Sequence, residues 1–329
     1  MQWTARIGRR LKLHDLHVLM IVVEAGSMRK AAQRLNTTQP AVSRSIAELE
    51  HAIGARLLDR SRQGVEPTEH GSALLDCGAV VFDELRQGVK RIEFLSDPTV
   101  GHITVGGNEV TIAALLPAVS GRLRREHPGI SIQVKSVSAI AQQYRELRER
   151  NVDLIVSRIP SSIENDIDVE ILFDDRTIVV AGLANRWART RKVELSELAD
   201  EPWCLPPPEI LAATRIADAF RKSGMRFPPR GAMLGPIHLT CALLASEPVL
   251  ATFPASMLRL GANIPRLKVL PITLPMPAWP VGIMTLKNRT LSPVTRLFIE
   301  YAREVAKPLV KGKGLRQGHA RLSHGTSTT

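Results

Sequence analysis

The twenty residues "AAQRLNTTQPAVSRSIAELE", 31–50, constrain the fold more than any other stretch. They carry two helical patterns with room for only a turn between Leu35 and Gln39. Upstream, Leu16, Leu19, Met20 and Val23 recur at helical spacing over Leu13 to Ala25. Gly26 ends that segment, and Ser27 is placed to cap the next. The second helix, Ser27 to Leu35, turns Met28, Ala31, Ala32 and Leu35 inward, and the paired alanines let another helix approach closely. Asn36-Thr37-Thr38 makes the turn, with Thr37 or Thr38 as cap. Pro40 falls in the first turn of the third helix, where a missing N–H costs little. Val42, Ile46, Leu49 and Ile53 define that helix's inner face, which leaves Pro40, Arg44, Ala47 and His51 outward, Ser43 on the flank and Gln39 at the free end.

Two helices crossed by so short a turn offer the start of the second to a partner, as DNA-reading helices do. Gln pairs bidentately with adenine and Arg with guanine. Ser43 and Thr38 suit phosphate, helped by unpaired N–H groups at the helix start. Capping alone also accounts for Ser27 and Thr38, and the two roles are compatible. The charge points the same way. Of a net +12, residues 1–66 hold eleven Lys/Arg against six Asp/Glu, and residues 307–329 hold five Lys/Arg and no acid. Positive charge concentrated in this way suits a polyanion, although ordinary solvated Lys and Arg would also produce it. An aromatic share of 4% argues against stacking platforms for single strands.

After Gly54, "ARLLDRSRQGVEPTEHG" reads as two extended pieces around "SRQG", a wing tipped with Arg60 and Arg62 that could touch backbone or minor groove. Thr68 caps a long helix to about Leu95. Its apolar positions Leu74, Gly78, Val81, Leu85, Val89, Ile92 and Leu95 keep a near-heptad rhythm, which favours a seam between two copies, with packing on its own body as the alternative. Asp97-Pro98 ends it. Beyond lie alternating strand and helix patterns, read as two lobes of parallel sheet flanked by helices, with ligands expected at the carboxyl ends of strands. The tail after residue 308 is basic, lacks an apolar face and is expected to be disordered.

Several classes are disfavoured. No apolar run approaches the roughly 20 residues of a membrane span, and the N-terminus lacks the pattern of a secretory signal. Cys77, Cys204 and Cys241 are few, scattered and odd in number, which argues against disulfides or a zinc site and for a reducing cytoplasm. There is no His-Glu-x-x-His, no Gly-x-Ser-x-Gly and no phosphate-cradling glycine loop, and "VGGNEV" lacks the dinucleotide spacing. Neither an enzyme nor a cofactor is expected.

"GSMRKAAQRLNTTQPAVSRSIAELEHAIGARLLDR" followed by "VEPTEHG" closely resembles the N-terminal signature of the LysR-type transcriptional regulators. The match is dense over about 60 residues, and the later architecture is compatible to about residue 308. Met28 stands where an aromatic is common, Pro67 where leucine is frequent, and ten extra residues lead in. The resemblance implies an α+β multi-domain chain: a winged helix-turn-helix over 1–66, a dimerising linker helix over 67–98, and a two-lobed α/β effector domain like a type 2 periplasmic binding protein over 99–308. It implies a cytoplasmic homotetramer that binds and bends promoter DNA, works with RNA polymerase, and responds to a small molecule between the lobes.

Carried over by position, Gln39, Pro40, Ser43 and Arg44 match base and backbone contacts, Ser27 and Thr38 phosphate contacts, and Arg60 or Arg62 the wing. For the effector the resemblance points to Val110 and Thr111 at the first body helix, Ser136 and Ser138 after the second strand, Arg158 ending the third, and Cys204 and Phe253 from the second lobe. A guanidinium at Arg158 would suit a carboxylate; sugar-related effectors also occur, and a solvated strand-end arginine is the plainer reading. Thr252 could line the cleft too, although a buried threonine with its hydroxyl satisfied by backbone is the plainer reading. A solute-binding protein would share this body but not the basic helical module. A redox sensor would have only Cys204 with Cys241 to use. A DNA-binding protein without an effector is the remaining alternative.

Overall fold

Helices α1 (Leu13–Ala25), α2 (Met28–Arg34) and α3 (Gln39–Ile53) open the computed structural model, which describes residues 11–61, 64–208, 211–227, 232–260 and 267–310. Gly26 takes φ +64°, a left-handed conformation that costs glycine little, and stops α1. Ser27 Oγ accepts the Lys30 N–H at 3.5 Å and Thr38 Oγ1 accepts the Ala41 N–H at 3.4 Å, so both cap helices. Leu16, Leu19, Val22, Ala31, Val42, Ile46 and Leu49 are buried together. Two details differ from the sequence reading. In α1 it is Val18 and Val22 that are buried, with Met20 and Val23 only half-buried, because "LHVLMIVV" is apolar nearly all round and its stripe is ambiguous. Ile53, in the last turn of α3, is 37% exposed.

Strands β1 (Leu58–Ser61) and β2 (Gly64–Pro67) form an antiparallel hairpin. The Leu57 and Leu58 N–H groups donate to Glu50 Oε1 at 2.8 and 3.3 Å, and the Val65 N–H donates to the Gly26 carbonyl at 3.1 Å. The wing is thereby tied to the end of α3 and to the α1–α2 turn. Arg62 lies outside the described residues. Thr68 Oγ1 accepts the Gly71 N–H at 3.0 Å and donates to the Arg56 carbonyl at 2.8 Å, which caps α4 (Glu69–Ser96). Gly78 packs against Leu16, whereas Val81, Leu85, Val89, Ile92 and Leu95 are 39–73% exposed. The chain divides into two compact units, 1–90 and 91–329.

The second unit runs β3 (Val100–Gly107), α5 (Glu109–Glu126), β4 (Gly129–Ser136), α6 (Ile140–Arg148), β5 (Leu154–Arg158), β6 (Ile167–Asp175) and β7 (Thr177–Gly182). It continues with β8 (Trp203–Leu205), α7 (Leu211–Lys222), β9 (Met233–Leu234), α8 (Ile237–Ser246), β10 (Leu250–Pro254), α9 (Ala255–Arg259), β11 (Leu267–Val269), β12 (Trp279–Leu286) and α10 (Pro293–Val310). Two five-stranded sheets result, in the orders β4-β3-β5-β12-β6 and β11-β7-β10-β8-β9. Ile103, Val105, Leu115 and Phe298 centre the first lobe; Val179, Trp203, Phe220 and Leu250 centre the second. The sheets are mixed rather than parallel: β12 runs antiparallel to β5 and β6, and β10 antiparallel to β7. After β6 the chain builds the second sheet, then returns to the first as β12, inserted between β5 and β6. The expected disordered tail, 311–329, lies outside the described residues. Among the described residues no helix is long and apolar enough to cross a membrane.

Candidate functional site

The exposed start of α3 carries the first group of expected site residues. Gln39, Pro40, Arg44, Ala47 and His51 are exposed and Ser43 is half-buried, while Val42, Ile46 and Leu49 opposite them are almost wholly buried. A 3.6-residue period with that inner face leaves no other side for Arg44. Gln39 and Arg44 form no side-chain hydrogen bond or ion pair among the described residues. Thr38 is exposed and Ser27 half-buried, although each caps a helix, and Arg60 stands exposed on β1.

The second group surrounds a cavity of about 450 Å³ in the second unit, within the usual range of small-molecule sites. Val110, Ser138, Arg158, Cys204 and Phe253 line it. Thr111 and Ser136 do not. The Thr111 N–H donates at 2.9 Å to Asn108 Oδ1, which caps α5. Ser136 ends β4, paired with Gly107 and facing solvent.

Sheet register sets the neighbours of Arg158 and Trp279, which line the cavity. Arg158, the last residue of β5, lies opposite Val281 of β12, and Trp279 of β12 lies opposite Asp175, the last residue of β6. The Trp279 Nε1–H donates to the Ile159 carbonyl at 2.9 Å, which holds its buried ring in the cavity wall. The guanidinium carbon of Arg158 sits 5.0 Å from that ring's centroid, and that of Arg215, on α7, 3.8 Å. Both distances are those of cation–π contacts.

Asp175 Oδ1 accepts the Ser256 N–H at 3.0 Å and Oδ2 accepts its hydroxyl at 2.5 Å. Burial pushes the Asp175 carboxyl up, against these bonds and the charge of Arg158. Burial likewise pushes the Arg158 guanidinium down; the charge of Asp175 opposes this and that of Arg215 adds to it. Neither arginine has a hydrogen-bonded anion among the described residues. Thr252 is also in the cavity wall, and its buried hydroxyl has no hydrogen-bond partner among the described residues, contrary to the expectation that backbone would satisfy it.

Burial pushes both the Cys204 and Cys241 thiols up, with Glu109 adding to the shift at Cys241. That opposes the thiolate character of a reactive sensor cysteine. Among the described residues no group of three or more metal-ligating side chains occurs. The sequence reading does not place Asn108, Ser157 or Trp279 at this site. Asn108 does carry a signal, since an Asn followed by Glu between a strand and an apolar helix marks a cap.

Residues 13–72 match the family described as bacterial regulatory helix-turn-helix protein, lysR family, and residues 96–307 match the LysR substrate binding domain. The chain is 25% identical over 293 residues to the HTH-type transcriptional regulator GbpR of Azospirillum brasilense, covering 87% of this chain and 84% of that protein. Full-length CbnR in complex with its target DNA is a structural neighbour with a TM-score of 0.51 and 20% identity, covering 90% of this chain and all of that one. A full-length OxyR variant from Pseudomonas aeruginosa reaches a TM-score of 0.59 at 18% identity, covering 89% of this chain and 98% of that one. With a helix-turn-helix match over residues 13–72 and a substrate-binding-domain match over 96–307, the chain belongs to the LysR family of DNA-binding transcriptional regulators with an effector-binding domain.

Proposed function

We propose that this regulator is cytoplasmic, reads double-stranded promoter DNA with Gln39, Pro40, Ser43 and Arg44, and responds to a small organic anion bound by Arg158 in the cavity between the two lobes. Ser27, Thr38, Arg60 and Arg62 are assigned to the phosphate backbone. Support for the reading helix comes from its exposed N-terminal turn and from Gln39 and Arg44, which form no side-chain hydrogen bond or ion pair among the described residues. Self-association through α4 is supported by the exposed run from Val81 to Leu95, an apolar stripe that water disfavours and a second copy would cover. Assembly to a tetramer and contact with RNA polymerase complete the reading.

The observation that carries the effector assignment is Arg158, a half-buried guanidinium lining a cavity of about 450 Å³ with no hydrogen-bonded anion among the described residues. A charge drawn from water and only partly offset by Asp175 is costly, and a bound carboxylate repays that cost through two parallel N–H···O bonds. Val110, Cys204 and Phe253 supply apolar wall, and Ser138 a hydroxyl. The test is calorimetric titration of the purified protein with a panel of organic acids and neutral sugars, beside Arg158→Gln. Acids that bind wild type and are lost in the variant support the assignment. Binding confined to neutral sugars and unchanged in Arg158→Gln refutes it.

A further inference from the structure

Among the described residues that line the cavity of about 450 Å³, Arg158 is the one cation. The other polar side chains of the wall are largely spent on the protein itself. Asn108 Oδ1 accepts the Thr111 N–H at 2.9 Å, and Asn108 Nδ2 donates to Ser157 Oγ at 2.9 Å. The Thr240 hydroxyl donates to the Pro236 carbonyl at 3.3 Å. Glu109 Oε1 lies 3.4 Å from His238 Nδ1. The Thr252 hydroxyl is buried out of a ligand's reach. Besides the Arg158 fork, that leaves the hydroxyls of Ser138 and Thr177, which form no side-chain hydrogen bond among the described residues.

The rest of the wall is apolar. Val110 and Ile140 bring it from the first lobe, and Leu205, Ile216, Ile237 and Phe253 from the second. Pro206, Pro207, Pro236 and Pro254 add backbone that has no N–H to offer. We infer that the effector is a monocarboxylate on an unhydroxylated hydrocarbon body, a ring or short chain, with Arg158 on the carboxylate and the apolar wall around the body. This rests on the reading of the cavity as an anion site and specifies its ligand. One guanidinium fork matches the two oxygens of one carboxylate. Glu109, in the same wall, disfavours a second negative charge. A hydroxyl carried against this wall loses its water and finds few partners, whereas a methylene in its place is drawn in. Ser138 and Thr177 are too few to satisfy the hydroxyls of a sugar acid.

Titration calorimetry of the full-length protein with two pairs of acids tests this, each pair sharing one carbon skeleton: cyclohexanecarboxylate with quinate, and hexanoate with gluconate. The second member of each pair is hydroxylated. Cyclohexanecarboxamide keeps the ring and lacks the charge. At least one apolar acid binds about 30-fold more tightly than its hydroxylated partner or better, since each hydroxyl left without a partner costs about tenfold. Its binding carries a negative heat-capacity change, the mark of apolar burial, read by repeating the titration at several temperatures. Ile237→Ser, in the half-buried part of the wall, weakens the apolar acid about fivefold through lost aliphatic contact. Val110→Thr, which sets a hydroxyl in the wall at similar shape, weakens it too and covers a folding failure of the serine variant.

Quinate and gluconate binding as tightly as their partners, or apolar-acid binding indifferent to both wall variants, overturns the hydrocarbon body while leaving a single-anion site. An amide that binds as tightly as cyclohexanecarboxylate, with both unchanged in Arg158→Gln, overturns the anion site on which the inference rests. The absence of binding by all four acids overturns both.

Discussion

Arg215 and Trp279 stack across the two lobes, with the guanidinium carbon 3.8 Å from the indole centroid. The ring is fixed from behind by its Nε1–H bond to the Ile159 carbonyl, beside Arg158. Trp279→Leu loses that bond, the stack and much of a buried ring. A cost of about 3 kcal/mol to the second unit is expected from large-to-small core changes. Urea unfolding measures it, and a loss below about 1 kcal/mol would show that the ring is not a structural support of the cavity.

Thr252 gives a prediction on stability. Its hydroxyl is buried without a hydrogen-bond partner among the described residues, so Thr252→Val removes an unsatisfied group at nearly constant shape. The urea unfolding midpoint is expected to stay level or rise. A variant destabilised by more than about 1 kcal/mol contradicts the unsatisfied state of this hydroxyl.

Asp175 gives a pH signature. Burial holds its carboxyl above the ordinary 3.8 in the folded protein. The folded state therefore binds this proton more tightly than the unfolded state, and its contribution to stability falls as pH rises from 3.8 to the raised folded value, remaining lower above it. Asp175→Asn removes that titration, so the variant gains on wild type as pH climbs through the window. Paired urea curves at several pH values between about 4 and 7 read the difference. A variant that loses ground to wild type over that range contradicts the direction of the shift.

How much of this is legible in the sequence depends on how local the cause is. The outward set of Gln39, Pro40 and Arg44 follows from Val42, Ile46 and Leu49, because one helical period fixes both faces. The caps at Ser27, Thr38 and Thr68 lie within three residues of the N–H groups they satisfy and are equally readable. β6 escapes a sequence reading because "IDVEILFDD" alternates acids with apolar residues on an edge strand and reads as polar. The reversal of β12 depends on the chain leaving one sheet and returning, which no short window records. Arg215 meets Trp279 only through the meeting of two lobes, so nothing near either residue announces the pair. Arg158 is found by resemblance, but its lack of an anion partner becomes visible only when its neighbours are placed.

Gly71 tests the join between wing and long helix. A Cβ there would fall 2.0 Å from the Leu57 carbonyl oxygen and 3.3 Å from the Pro67 Cβ. Backbone cannot yield as a side-chain tip can, so Gly71→Ala must push β1 from α4. A loss of about 2–4 kcal/mol in the first unit is expected, comparable with other overpacked or strained sites. Guanidinium unfolding followed by circular dichroism measures it, and an unchanged midpoint would refute the close approach.

The most direct measurement is footprinting of the full-length protein on the DNA upstream of its own gene across several salt concentrations, with Arg44→Ala and Arg60→Ala alongside. A protected site of dyad symmetry with steep salt dependence is expected. Arg44→Ala should lose about 1–3 kcal/mol and relax the base preference at its position, while Arg60→Ala should weaken all sequences alike and lower the salt slope by about one. Weak protection spread evenly over any DNA and indifferent to Arg44 would contradict the assignment of α3 as the reading helix.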